Sequence, residues 1–238
     1  MNALVRRLCC RRTAAALSLV ALMVPVAACG DGGGGGADQT PEEVLAAAKE
    51  ALDDTSGVTL SLATEQLPAD VDGVLEAKGV ATHAPAFDGD LTVVVNGLNV
   101  DVPLVSVDGK VWAKLPFTTE FAELNPADYG APDPAQLMNP DTGLSTWLTE
   151  ATGIEEGDRV RDGKTVLSSY TGSLSGDVVD ASVPSADEKA DFPVTFQIDE
   201  DGRLRSVDIS GPFYGAAGTV DYTFGVDDYG TDQDITKP

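Results

Sequence analysis

Most of this chain is divided into short segments in which apolar and polar residues alternate. Residues 58–62 show the pattern, with valine or leucine at every second position, which is typical of a strand that buries one face. Asn96-Gly97 and Asp108-Gly109 separate later segments of the same kind, and both dipeptides favour two-residue hairpin turns. Strands joined by such short turns pair in antiparallel fashion. The chain is therefore predicted to build an antiparallel sheet.

About ten strands are predicted, in two groups. The first group covers residues 58–62, 74–83, 87–96, 98–107 and 110–115, and the second covers 157–162, 164–175, 192–199, 203–210 and 217–226. A flat sheet seldom holds so many strands, so this sheet is expected to curl.

A helix is predicted ahead of the first strand. Thr40 can cap it, Pro41 suits its first position, and Glu43 completes a capping box. The apolar residues of the helix lie on one stripe, formed by Val44, Leu45, Ala48 and Leu52. Because only one face is apolar, the helix is expected to lie against the sheet.

Residues 116–153 interrupt the alternation. Five prolines divide this segment, yet it is too apolar for a solvated loop, so short helices are predicted at 133–138 and 142–151, on one side of the sheet. Another short helix is predicted at 184–190. If the helices fill the space inside the curled sheet, the protein has an ordinary α+β core. If they only line that space, it holds a hydrophobic cavity. The alternating pattern is compatible with either a filled core or a cavity.

The N-terminus has the pattern of a bacterial lipoprotein signal. Four arginines up to residue 12 precede an apolar run from Ala14 to Met23, which is roughly half the length of a membrane-spanning helix. Val26-Ala27-Ala28-Cys29-Gly30 reads as a lipobox, and five glycines follow at 32–36. The thiol of Cys29 is the predicted lipidation site. An ordinary secretory signal that contains a cysteine is the alternative, but its free thiol would then lack a purpose.

These features predict a signal peptide (1–28), a lipidated cysteine with a glycine-rich linker (29–39) and a single domain (40–238). Cys9 and Cys10 would leave with the signal, so no disulfide is expected. The predicted location is the extracytoplasmic face of the plasma membrane, with a released pool in the envelope as an alternative.

The charge and the residue types exclude several functions. The sequence has 15 basic and 39 acidic residues, and loss of the four signal-peptide arginines leaves a net charge of −28. Such a chain is a poor partner for nucleic acid. His83 is the only histidine of the sequence, so the familiar catalytic triads and zinc sites cannot be built. The protein is predicted to be no enzyme and to use no metal or cofactor.

Several segments, taken in order, resemble a known family. They are "DPAQLMNPDTGLSTWL" (Asp133 to Leu148), "TVLSSYTGSLSGDVV" (Thr165 to Val179) and the C-terminal stretch from Thr219 to Pro238. Together with the lipobox, the linker and the capped helix, they look like the LppX/LprAFG family of mycobacterial lipoproteins. Asn139-Pro140 and Gly143-Leu144 stand where that family opens a helix that bears on its lipid cavity.

The resemblance implies a strongly curved antiparallel half-barrel akin to the LolA/LolB carriers, with helices on its concave face enclosing an apolar cavity. It implies di- or triacylated lipids or glycolipids as ligands, a lipid exporter as a further partner, and movement of lipid toward the outer envelope. The candidate cavity residues are Val44, Leu45, Ala48, Leu52, Met138, Leu144, Trp147 and Leu148. Plain core packing of the same residues is the competing interpretation. A tethered interaction module with a filled core, carrying no lipid, is the alternative function.

Overall fold

A computed structural model describes residues 39–129 and 131–238, and these residues form one compact unit. Its strands are β1 (Gly57–Ala63), β2 (Gly73–Thr82), β3 (Ala86–Val95), β4 (Leu98–Val107), β5 (Lys110–Ala113), β6 (Ala122–Leu124), β7 (Thr152–Asp162), β8 (Thr165–Ser175), β9 (Asp191–Asp199), β10 (Leu204–Gly211) and β11 (Val220–Asp227). The α-helices are α1 (Pro41–Asp53), α2 (Trp147–Glu150) and α3 (Gly176–Ser182), and 3-10 helices cover Pro126–Tyr129, Pro134–Met138, Leu144–Thr146 and Gly215–Ala217. Cys29, the predicted signal peptide and all of the linker before Gln39 lie outside the described residues.

All eleven of these strands form one antiparallel sheet in the order β6-β5-β4-β3-β2-β1-β11-β10-β9-β8-β7. Two meanders, β1 to β6 and β7 to β11, are joined where the first strand pairs with the last, with Leu60 opposite Val226. β6 and β7 stand at the two edges and do not pair with each other, so the sheet is open.

The helices lie on one face of this sheet. α1 contacts β7 and β10, whereas the 3-10 helix Pro134–Met138 contacts β2, β3 and β4 on the other side of the β1–β11 seam. One helical layer that reaches strands toward both edges requires the sheet to curve around it. The prediction of a curved antiparallel sheet with helices on its concave face is confirmed.

A smaller apolar cluster lies on the convex face and is covered by the C-terminal segment 228–238. Ile235 is buried there against Ala86 and Val105. Gln233 donates a 3.1 Å hydrogen bond to Asp88, and the ammonium of Lys237 lies 5.3 Å from the centre of the Trp112 ring. The last residues of the chain are therefore part of the fold.

The structure confirms the first helix, including its capping box between Thr40 and Glu43, and differs from the sequence analysis at four other elements. The helix predicted at 184–190 is wrong, because the chain is helical at Gly176–Ser182 and then forms turns. The edge strand β6 was not predicted. β7 begins at Thr152 rather than 157, and the helix predicted at 142–151 is limited to residues 144–150.

Candidate functional site

The predicted cavity residues lie in the interior between the sheet and the helices. Seven of them are at most 4 % exposed: Leu45, Ala48, Leu52, Met138, Leu144, Trp147 and Leu148. Val44 is half-buried and packs against the same cluster. The structure thus brings all eight together in one apolar core, and a role in lining a lipid cavity stays a prediction.

Polar contacts hold the helical layer together. The ammonium of Lys49 on α1 donates to the carbonyl oxygen of Pro140 (3.0 Å) and to the hydroxyl of Ser145 (3.3 Å), and forms an ion pair with Asp53 (2.6 Å). These contacts join α1 to the segment that carries Leu144 and Trp147.

A second set of contacts joins α2 to the end of α3. The indole nitrogen of Trp147 donates to the hydroxyl of Ser182 (3.2 Å), and that hydroxyl donates to the carbonyl oxygen of Thr142 (2.5 Å). The indole N–H of Trp147 therefore has a partner although the side chain is fully buried, as buried polar groups require.

A row of aromatic rings crosses the interior. The ring centres of Phe192 and Phe213 are 5.1 Å apart, as are those of Phe213 and Tyr222. Tyr222 lies 6.5 Å from Phe224, and Phe224 lies 5.2 Å from Trp147 in an edge-to-face arrangement. Edge-to-face pairs of this kind add to the free energy gained from apolar burial.

This row leads to a small pocket at one rim of the sheet. The pocket has a volume of about 60 Å³ and is lined by Leu62, Gly73, Val74, Tyr129, Ala131, Pro132, Leu137, Val183, Ser185, Phe213, Tyr214, Tyr222 and Phe224. We call this pocket the mouth. Among the described residues, none that lines the mouth carries a charge, although the sequence has 39 acidic residues.

Two tyrosine hydroxyls and one backbone unit form a closed hydrogen-bonded ring at the mouth. The Tyr222 hydroxyl donates to the carbonyl oxygen of Val74 (2.7 Å), and the Val74 N–H donates to the Tyr214 oxygen (3.4 Å). The two hydroxyl oxygens are 2.8 Å apart. Because the Tyr222 proton is already engaged, Tyr214 is the donor in that contact. We call this arrangement the tyrosine ring.

The local sequence explains why the tyrosine ring forms. β1 ends at Ala63, opposite Glu76 of β2. The pairing with β1 therefore does not reach Val74, whose backbone N–H and carbonyl groups are free to bond to the two tyrosines. Gly73 leaves space for Tyr214, since a Cβ at that position would lie 2.4 Å from the Tyr214 hydroxyl oxygen. Burial, and secondarily the neighbouring Tyr214, raises the pKa of the Tyr222 phenol far above its ordinary value, so its hydroxyl stays protonated.

Apolar residues extend the concave face beyond the mouth. Val74 is opposite Val93 on β3, and Val93 is opposite Val100 on β4. Val95 and Leu98 continue this face to the hairpin tip, where they are 39 % and 68 % exposed. The interior, the mouth and this hairpin therefore share one apolar surface.

A larger cleft of about 450 Å³ opens elsewhere, beneath the C-terminal segment. Thr82, Asp108, Gln136, Gln233 and Asp234 are among its lining residues. Its lining combines apolar residues with these polar and acidic ones, so it suits an apolar ligand less well than the mouth does.

His83 has a structural role in this region. Its Nε2 lies 2.8 Å from the carbonyl oxygen of Leu52, in the last turn of α1. Within residues 39–129 and 131–238, no group of three or more histidine, cysteine, aspartate or glutamate side chains could hold a metal ion.

The sequence reasoning missed the mouth. Phe213 and Tyr214 stand between the predicted strands 203–210 and 217–226, and Tyr222 lies within the second of these strands without a predicted role. The signal that could have indicated the mouth is the group of aromatic residues at 213, 214, 222 and 224. The last two lie on the same face of one strand.

Comparison with known proteins assigns the chain to a protein family. The family model described as LppX_LprAFG lipoprotein matches residues 40–236, and the chain belongs to that family. No helix in the described part of the chain combines the length and the apolar character that a membrane crossing needs.

Individual relatives share a low sequence identity with this chain. The chain is 26% identical over 166 residues to the lipoarabinomannan carrier protein LprG of Mycobacterium tuberculosis, covering 66% of this chain and 69% of that protein. It is 28% identical over 159 residues to LprG of Mycobacterium leprae, covering 65% and 66%. Two crystal structures have the same fold: LprF from Mycobacterium bovis (TM-score 0.68, 15% identity, 83% of this chain and 96% of that chain) and Mycobacterium tuberculosis LppX (TM-score 0.62, 16% identity, 84% and 100%).

Proposed function

We propose that this chain is a membrane-anchored extracytoplasmic lipoprotein that holds multi-acyl lipids or lipoglycans in its apolar interior and helps to move them from the plasma membrane toward the outer envelope. The observation that carries the proposal is the position of Phe224. Its ring lines the mouth and also contacts Trp147 in the core. A ligand that enters at the mouth thus meets the surface between sheet and helices that contains the predicted cavity residues.

The energetics favour such a carrier. Exposing a sixteen-carbon acyl chain to water costs about 12 kcal/mol, at roughly 0.8 kcal/mol for each methylene. Transfer from a bilayer to an apolar protein interior costs far less, because both environments resemble hydrocarbon. The protein therefore needs an apolar interior that can open, rather than a supply of chemical energy.

Opening requires the helical layer to move away from the sheet, because a mouth of about 60 Å³ is too small for an acyl chain. α1 and the segment 140–147 move together in this proposal, since Lys49 bonds them to each other. The name of the LprG relatives, lipoarabinomannan carrier protein, supports a lipoglycan or a related lipid as the cargo.

A filled interior supports the alternative of a tethered interaction module without lipid. Leu45, Ala48, Leu144 and Trp147 are 0 % exposed, as expected of a permanent core. The two functions differ in whether the purified protein contains lipid.

The deciding experiment is native mass spectrometry of the full-length chain, produced in an actinobacterial host and extracted in mild detergent. We expect bound masses of di- or triacylated lipids that disappear after organic extraction. Protein without lipid in both spectra would overturn the carrier function and favour the interaction module.

Two variants locate the lipid. Leu144→Trp places bulk in the interior, and Leu62→Trp places it in the half-buried wall of the mouth. We expect both to lower lipid loading severalfold. Val160→Trp is the matched control, because Val160 is 49 % exposed on the edge strand β7, and loading should not change. If all three variants load equally, the ligand does not occupy this interior.

A further inference from the structure

The exposed apolar side chains of the described residues are concentrated at one end of the sheet. Six large ones are exposed: Val95, Leu98, Leu115, Phe117, Tyr129 and Val160. Val95 and Leu98 flank the β3–β4 turn, Leu115 and Phe117 follow β5, and Tyr129 lines the mouth. We call these five residues the apolar rim. Val160 is the sixth exposed side chain and lies on the edge strand β7.

The topology of the sheet places the apolar rim at the end where the mouth opens. In the antiparallel meander that starts with β1, the ends of β3 and β5 lie at the same end of the sheet as the beginnings of β2 and β4. Gly73, the first residue of β2, lines the mouth. Val160 stands two residues before the end of β7. Because β1 pairs antiparallel with β11, β7 runs away from the mouth, and Val160 lies toward the opposite end.

Phe117 has an unfavourable backbone conformation in addition to its exposure. The Thr118 N–H donates to the carbonyl oxygen of Leu115 (3.1 Å), which closes a turn with Pro116 and Phe117 at its centre. Phe117 has a φ of 66°, so the turn has the type II form, in which glycine or asparagine is usual at this position. A phenylalanine there is strained, and its ring is fully exposed. Neither feature stabilises the fold, so the ring indicates a contact outside the chain.

The shape of the apolar rim favours a lipid surface over a protein partner. Its side chains project from three separate segments, the β3–β4 turn, the connection after β5 and the 3-10 helix Pro126–Tyr129. A protein interface is usually a continuous, closely packed patch. Separate apolar tips can instead each enter the boundary between the headgroups and the acyl chains of a bilayer.

The charges near the apolar rim restrict the kind of lipid surface. Residues 95–101 and 114–121 contain two acids, Asp101 and Glu120, and one base, Lys114. Asp72 adds a third acid, and its carboxylate accepts a 2.8 Å hydrogen bond from the Asn96 N–H at the hairpin tip. An anionic surface would repel this net negative charge, so the matching headgroups are largely uncharged.

We propose that the apolar rim docks the domain onto a lipid surface with largely uncharged headgroups, with Phe117 and Leu98 entering the acyl region. The contact orients a domain tethered through Cys29 so that the mouth faces the lipid. This inference goes beyond the proposed function, because docking needs no cargo in the interior.

The test uses the full-length chain, incorporated from detergent into phosphatidylcholine vesicles and recovered by flotation. Phe117→Trp and Leu98→Trp each add a fluorescent reporter, and phosphatidylcholine brominated on its acyl chain quenches a tryptophan that enters the hydrocarbon. Val160→Trp is the matched control, because Val160 is also exposed but lies toward the other end of the sheet. The unsubstituted chain supplies the signal of its own tryptophans for subtraction. We expect severalfold stronger quenching at 98 and 117 than at 160.

A second comparison tests whether the two tips dock together. Adding Phe117→Asn to Leu98→Trp should lower the ratio of docked to undocked protein, read at position 98, about fivefold or more, because one buried apolar side chain is lost. Adding Val160→Asn to Leu98→Trp should leave the ratio unchanged. Replacing part of the phosphatidylcholine by phosphatidylglycerol should weaken the quenching at both tips.

Stability separates docking from packing within the protein. Asparagine tolerates the backbone conformation at position 117, so Phe117→Asn should leave the free energy of unfolding unchanged or raise it. A clear loss of stability would mean that the ring packs within the protein and would overturn the inference. Equal quenching at 98, 117 and 160, or a chain that does not float with the vesicles, would also overturn it. Bound lipid in the native mass spectra without quenching at the tips would leave the proposed function intact and remove the docking surface.

Discussion

At Tyr222 and Tyr229, burial raises the pKa of each phenol above its ordinary value of 10.0. Neighbouring groups add to the shift, chiefly Tyr214 beside Tyr222 and Asp199 near Tyr229. In the folded protein both phenols therefore remain neutral at a pH where the unfolded chain loses their protons. The folded state then binds more protons than the unfolded state, so stability must fall as the pH rises.

The resulting prediction concerns alkaline unfolding. The free energy of unfolding should be independent of these tyrosines below pH 10 and should decrease above it, by at most about 1.4 kcal/mol per pH unit for each tyrosine. Tyr222→Phe and Tyr229→Phe should each make this decrease shallower. Urea unfolding at pH values from 8 to 11 measures the slope, and an unchanged slope in both variants would contradict the buried, neutral phenols.

Individual site residues differ in how far the sequence could predict them. The sequence predicts the burial of Leu45, Ala48 and Leu52 correctly, because helical spacing alone places them on one face of α1. The tyrosine ring could not be predicted, because it depends on β1 ending at Ala63 and on a loop meeting β2 more than one hundred residues away in sequence. Such contacts follow from tertiary pairing and leave no local periodic signal.

Among the structural elements, those with local signals were predicted well. α1 has a capping box at Thr40, and the hairpin turns at Asn96-Gly97 and Asp108-Gly109 set the ends of β3, β4 and β5. β6 has three residues and is defined by pairing with β5, which no local pattern shows. α3 is not predicted at its observed position because it follows β8 directly at Gly176, and the strong strand pattern of β8 obscures the boundary.

Gly143 provides a prediction at the level of the helical layer. It precedes the 3-10 helix Leu144–Thr146, and a Cβ there would lie 2.4 Å from the Leu137 carbonyl oxygen and 2.6 Å from that of Asn139. Gly143→Ala should therefore force this segment away from Pro134–Met138 and lower the free energy of unfolding by about 1–3 kcal/mol.

Gly157→Ala is the control for Gly143→Ala. Its new Cβ would meet the nearest heavy atom at 3.5 Å, so stability should change by less than about 0.5 kcal/mol. Urea denaturation of both variants measures the difference. Equal stability of the two variants would mean that the helical layer is not closely packed at Gly143.

For the whole molecule, the acidic surface and the predicted anchor would have opposite effects on membrane contact. A mature charge of −28 repels an anionic membrane surface, so the domain has little affinity of its own for the membrane that would supply its cargo. A covalent lipid on Cys29 would hold it there. Cys29 lies outside the described residues, and its acylation stays a prediction.

Acylation of Cys29 can be tested in cells by incorporation of labelled palmitate. Cys29→Ala should abolish the label on this chain, because the acceptor thiol is lost. Cys9→Ala and Cys10→Ala are matched controls, since these residues belong to the predicted signal peptide, and they should leave labelling unchanged. Label retained by Cys29→Ala would contradict the lipobox assignment.

The open edges of the sheet set how its size can change. A closed barrel has a circumference fixed by its strand number and stagger. Here β6 and β7 do not pair with each other in the described structure, so the distance between them can increase while every interstrand ladder stays intact. Expansion then disrupts side-chain packing and the few polar contacts of the helical layer but no ladder hydrogen bond. A single sheet of this kind can enclose ligands of different widths.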